Sequence, residues 1–207
     1  MAVAEETKPL AGQKLTIALS PNFMFFETVS ETDPTGYEGL DIDIIKELFD
    51  MLGFEFEIVP MSFSSLVGSL QANSVDMVIS GMTATEERKQ IVDFSDVYCT
   101  SSVGCVTKAD SDINSFEDLQ NQIVCCSQGT NYEMMIEDIP GTTLKTYQGQ
   151  AAVGTAVAEA TDGVAAGLTS INGAKKLATT MLDADGNPML KYFALEGARA
   201  DEYCMAF

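Results

Sequence analysis

The stretch GMTATEERKQIVDFSDVY, residues 81–98, packs a glycine turn, hydroxyls, an arginine and an aromatic exit into one short span. Gly81 lets backbone approach a ligand closely, and Thr83 and Thr85 offer hydroxyls. A helix starting near Thr85 aims its free N–H groups at an anion. Arg88 falls one turn in, where its planar fork can grip both oxygens of a carboxylate, which the point charge of a lysine does less specifically. Taken alone, the pattern is that of an ordinary helix N-terminus with a surface arginine, so the surrounding chain has to decide.

Upstream, the apolar run 75–79 suits a buried parallel strand that delivers Gly81 to its end. Ile42, Ile45, Leu48, Phe49 and Leu52 recur at helical spacing with Gly53 as a stop. Phe54, Phe56 and Ile58 alternate with Glu55 and Glu57 as in a strand with one wet face, and Phe63, Leu66, Val67 and Leu70 return to helical spacing. With a first strand over 14–19 this is a βαβαβ unit. Right-handed crossovers put the loops at Ser20, Pro60 and Ser80 along the carboxyl edge, where α/β sheets bind ligands.

Downstream, YCTSS at 98–102 marks a composition change and is read as a hinge. Ser115 with Asp118 reads as a capping box. Strands are expected over 122–127, 143–147 and 163–166, and helices over 131–139, 150–160 and 171–181. Asp183 to Pro188 is a surface turn, because its spacing and the missing downstream glutamate do not suit a calcium loop. The result is a second α/β lobe built like the first. The expected division is a flexible segment 1–13, a first lobe 14–97, a hinge 98–102 and a second lobe 103–207.

Composition excludes several functions. Eleven basic against 31 acidic residues leave a net charge of −20, which repels phosphate backbones and argues against nucleic acid or anionic lipid as partners. With no histidine, neither a Ser-His or Cys-His nucleophile pair nor a histidine metal site can form. The five cysteines have no zinc-site spacing; Cys125 and Cys126 lie in an apolar strand pattern and read as small core residues, while Cys99 with Cys105 is the less favoured option of a disulfide. No run approaches the roughly 18 apolar residues of a membrane span. Residues 1–13 lack the charged and apolar regions of a signal peptide.

These segments together resemble the extracytoplasmic solute-binding proteins of polar amino acid ABC transporters, family 3. The strand KLTIAL (14–19), the aromatic loop PNFMFF (21–26), YEGLDID (37–43), MSFSSL (61–66), VDMVIS (75–80), the central motif at 81–98, SQGT (127–130) and the terminal YCMAF (203–207) occur in that family's order. The resemblance covers the chain from Lys14 to Phe207. It implies a type II periplasmic binding protein-like fold: α/β, two lobes, each a mostly parallel sheet flanked by helices, with the ligand in the cleft. It further implies a binder rather than an enzyme, with no cofactor or metal. Its partners are an amino acid or related small carboxylate and a membrane permease. It implies a location outside the cytoplasm, in a periplasm or as a cell-surface lipoprotein, with any signal peptide removed upstream. Members usually continue past the terminal strand with a helical return to the first lobe, so that return is expected to be absent and the first lobe to expose apolar surface.

Carried over residue by residue, the resemblance makes Phe23 and Phe63 the aromatics that sandwich the ligand. Gly81, Met82, Thr83 and Arg88 form the carboxylate clamp, and Gly129 and Thr130 the second lobe's contribution. The departure is Gly167, which stands where many members hold the ligand's amine with an aspartate; Glu38, Thr169 or Ser170 moving inward, or a ligand without a free α-amine, are the compensations. Two other classes share the scaffold: a periplasmic dehydratase, for which Glu133 is the acid to test, and the ligand-binding domain of a membrane sensor.

Overall fold

Ile17 and Leu19 point to one face of the first strand and Ala18 to the other, and all three are fully buried. That period of two, in a strand covered on both sides, is what an α/β sheet requires. The computed structural model describes residues 8–207. Of the segment expected to be flexible, 1–7 lie outside the described residues, whereas 8–13 form turns tied to the body by Leu10 N–H donating to Leu52 O at 2.9 Å.

The first sheet begins with β1 (Lys14–Leu19); β2 (Asn22–Phe23), β3 (Glu27–Val29) and β4 (Tyr37–Glu38) form a small separate sheet beside it. Helix α1 (Leu40–Leu52) follows, closed by Gly53 in the left-handed conformation, its N–H bonded to Phe49 O. Next come β5 (Glu55–Pro60), α2 (Leu66–Gln71), β6 (Met77–Thr83) and β7 (Cys99–Ser101). The second sheet takes β8 (Val103–Lys108), β9 (Ile123–Ser127), α3 (Tyr132–Glu137), β10 (Thr143–Tyr147), α4 (Gly149–Ala158), β11 (Ala166–Ser170), α5 (Ile171–Thr180) and β12 (Leu190–Ala194). The last strand is β13 (Asp201–Ala206).

The strand orders are β5-β1-β6-β13-β7 and β10-β9-β11-β8-β12. In each sheet four of the five strands run in one direction and a single strand, β13 in the first and β8 in the second, lies antiparallel between two of them, so the sheets are mixed with most strands sharing one direction. Each sheet has an apolar layer on both faces. α1 lays Ile42 and Ile45 on Ile17, Leu19 and Ile79, while α2 lays Leu66 and Leu70 on Ala18 and Val78. In the second sheet Val124 and Cys126 face α3, and Cys125 faces the layer of α4 and α5.

The division at 98–102 and 103–207 differs from this topology. β13 crosses back and inserts between β6 and β7 of the first sheet, with Tyr203 and Ala206 buried there, and β7 is itself a strand of that sheet. The lobes are therefore joined twice, at Ser102 and through 195–200. The terminal strand, expected in the second lobe, thus covers the flank of β6 in the first. Exposed apolar side chains on the first lobe, Phe25 (59%), Val29 (68%) and Met51 (67%) among them, lie instead on the small sheet and α1.

Candidate functional site

Ser20 just past the end of β1, Ser80 in the middle of β6 and Ser127 at the end of β9 meet at a cavity between the sheets. Phe23 and Phe63 wall it from the first lobe; Gln150 and Thr169 face them from the second. The lobes stand close together. The space is about 50 Å³, little more than one or two water molecules occupy. A wider cavity of about 280 Å³ adjoins it, sharing Phe63, Thr130 and Asn131, and contains Arg88 and Gly129.

The expected site residues divide into several groups. Phe23 stacks on Phe26 with centroids 4.5 Å apart and meets Tyr203 edge-on at 5.8 Å, so it is a cavity wall braced from behind. Phe63 carries the Arg88 guanidinium over its ring at 5.5 Å. Gly81 has φ +51°, and a side chain there would place Cβ 2.2 Å from the Phe23 ring. Its close approach is thus to an aromatic wall rather than to a ligand, and its N–H is taken by Asp41 Oδ2 at 2.9 Å. Met82 is fully buried in the α2 layer, so its side chain is core. Thr83 is half-buried, and its hydroxyl is buried with no partner among the described residues.

Arg88 lies where the lobes meet. One terminal nitrogen donates to Thr83 O of its own lobe at 2.6 Å, the other to Gly129 O of the second lobe at 2.8 Å. Burial lowers its pKa to about 10, which leaves it charged at neutral pH. The helix expected at Thr85 is only a turn: Thr85 Oγ1 accepts from Arg88 N–H at 3.3 Å, and a 3₁₀ turn over Arg88–Gln90 follows. Gly129, at φ +80°, allows Ser64 of the first lobe to sit 2.8 Å from where a Cβ would be. The Thr130 hydroxyl, expected as a donor to the ligand, instead donates to Ser127 O at 2.7 Å. Glu133, the acid of the enzyme reading, accepts from Gly129 N–H at 2.5 Å and caps that turn.

Gly167 is not on the cleft. A Cβ there would meet Val153 at 2.7 Å and Val157 and Val106 at 3.2 Å, so its open face lets α4 pack tightly on β11. Two residues on, the same face reaches the cleft at Thr169, whose hydroxyl accepts from Gln150 Nε2 at 2.7 Å. Gln150 Oε1 in turn accepts from Met24 N–H across the lobes at 3.4 Å. Glu38 turns away to the Ser30 hydroxyl at 2.8 Å, and Ser170 caps α5 through Gly173 N–H.

Sequence reasoning passed over Glu27. It lines the cavity from β3, is fully buried, and accepts from Ser80 Oγ at 2.5 Å through Oε1, while Oε2 has no donor among the described residues. Desolvation raises its pKa well above the carboxylate range, and neighbouring Asp41 adds to the rise. The signal was an acid directly after the apolar loop PNFMFF. The five cysteines are free, and burial raises the Cys125 and Cys126 thiols to about 12, as befits core residues.

Residues 15–191 match the family model described as bacterial extracellular solute-binding proteins, family 3. The chain belongs to that family. Its members are solute-binding proteins rather than enzymes. The chain is 39% identical over 121 residues to the arginine-binding extracellular protein ArtP of Bacillus subtilis, covering 58% of this chain and 46% of that one. It is 43% identical over 86 residues to a glutamine-binding protein of Geobacillus stearothermophilus, covering 40% and 33%. It thus spans about half the length, or less, of these curated relatives. Among solved structures, holo ArgBP from T. maritima aligns with a TM-score of 0.80 at 29% identity over 93% of this chain and 81% of that one. AbpA from Streptococcus pneumoniae bound to L-arginine aligns at 0.81 and 29% over 94% and 81%. The two-lobed fold is that of these binding proteins.

Proposed function

We propose that this family member is the extracytoplasmic receptor of an ABC importer and captures an amino acid with a cationic side chain, arginine first and lysine second. The observation that carries the reading is Glu27: a buried acid on the cleft wall with one oxygen lacking a donor. A guanidinium or ammonium supplies that donor and the charge, and a charge-assisted bond in a buried site is among the stronger ones. The names of similar arginine-binding proteins support the same class.

The solute enters when the lobes part, which releases the Arg88–Gly129 and Gln150–Met24 bonds. Phe23 and Phe63 then hold its aliphatic stem. Its carboxylate replaces the Gly129 carbonyl on Arg88, whose guanidinium has five N–H donors, with the Thr83 hydroxyl close behind. The α-ammonium meets neutral acceptors, Thr169 Oγ1 and Gln150 Oε1. Closure is favoured because the complete set of bonds exists only with both lobes in place. A permease then receives the closed form.

Isothermal titration against arginine, lysine, glutamine and glutamate tests this. Arginine or lysine binding at least tenfold tighter than glutamine, with glutamate silent, is expected. Preference for glutamate or for an uncharged side chain would remove Glu27 from the model.

A further inference from the structure

Behind the cavity wall Glu27 does not stand alone. Asp41, in the first turn of α1, is also fully buried, and consecutive residues of β6 hold the two acids beside each other, Ser80 bonding Glu27 and Gly81 bonding Asp41. Two carboxyl groups form a hydrogen bond only when one of them keeps a proton. Tyr98 donates its hydroxyl to Asp41 Oδ1 at 2.9 Å, Gly81 N–H bonds Oδ2 at 2.9 Å, and Ser80 bonds Glu27 Oε1. Every one of these donors is neutral. From β13 and the second lobe the same cavity receives Tyr203, Tyr132, Gln150 and Thr169, again neutral, with Asp201 held behind the two tyrosines by their hydroxyls. Among the described residues no lysine or arginine bonds either carboxyl. Two like charges buried beside each other with no cation cannot both persist.

Resting on the reading of Glu27 as the cation's partner, we propose that Glu27 and Asp41 share one proton and that the cationic group of the solute displaces it. Capture of the solute therefore releases a proton to water. The exchange balances: a singly negative, protonated pair plus a monocation becomes a doubly negative pair holding the monocation, plus one free proton. Asp41 touches no solute in this scheme and acts through Glu27. Desolvation raises both carboxyls, which puts the proton in place above the usual carboxylate range. Affinity for the cation rises with pH, by up to about tenfold per unit, and levels off once the pair has lost its proton unaided.

The test is isothermal titration of the full chain with L-arginine near neutral pH in buffers of different ionisation heat, paired with infrared difference spectra. The expected result is close to one proton released per arginine bound, with loss of the carbonyl band of a protonated carboxylic acid. In Asp41→Asn the proton count should fall while arginine still binds; should that variant fail to fold, the infrared band in the unaltered protein decides. Tight arginine binding with no proton released and no acid band lost overturns the linkage and leaves the cation reading intact. Absence of arginine and lysine binding overturns both.

Discussion

Glu27 combines three properties that separately are unremarkable in a protein: no exposure, a buried oxygen without a donor, and a second buried acid nearby that raises its pKa. Its pKa is raised in the folded state, so the folded chain holds a proton that the unfolded chain has lost. Stability therefore falls as pH climbs above the ordinary carboxylate range, and the loss is complete once pH passes the raised value. Glu27→Gln should raise the melting temperature of the ligand-free protein at pH 8 by a few degrees and weaken arginine binding by about 100-fold or more, a change read by calorimetry. Gly81→Ala should act oppositely on stability: φ is +51° and the new Cβ meets the Phe23 ring, so a loss of about 1–3 kcal/mol in denaturant unfolding is expected, with weaker binding as the aromatic wall shifts. That Phe23 and Phe63 stand at the cleft could be read from a linear pattern, whereas Gly81, expected to approach a ligand, approaches the Phe23 ring instead. Glu27 was not legible, since its meaning comes from Asp41 and Ser80, brought to it from α1 and β6.

At the scale of elements, local periodicity sufficed for α1, α2, β5 and the βαβαβ order, because each rests on its own residues' spacing. It did not reveal the partner of β13, which pairs with strands roughly 100 residues away, nor the register of β11. The register matters for the site. Gly167 packs under Val153, so Gly167→Asp should bury an unpaired charge in the α4 layer and destabilise the second lobe by several kcal/mol. Thr169→Asp, on the cleft, should instead fold and tighten binding of solutes that carry an α-ammonium, by roughly tenfold, while leaving their des-amino analogues unimproved. Equal destabilisation by both, measured by chemical unfolding, would contradict the register. The helix expected after Thr85 shrank to a turn because 91–98 is drawn along β13, where Phe94 pairs with Ala206.

For the molecule as a whole, a net charge of −20 makes the protein attractive to cations. The association rate for arginine should fall as salt is raised from 0.01 M to 0.15 M, where the screening length shrinks from about 30 to about 8 Å, and that for glutamine should change little. Stopped-flow fluorescence of the cleft tyrosines reads this. Arginine at about 100 times its dissociation constant should stabilise the fold by about 2.7 kcal/mol, a rise of about 5–10 °C in melting temperature. The two-lobed plan itself was legible from repeated strand and helix alternation, whereas the double connection between lobes depended on β13. The most direct measurement is a crystal structure with L-arginine bound. The account predicts a guanidinium nitrogen within hydrogen-bond distance of Glu27 Oε2 and the arginine carboxylate on Arg88 in place of Gly129 O; arginine bound elsewhere, or bound in the cleft with Glu27 untouched, would contradict it.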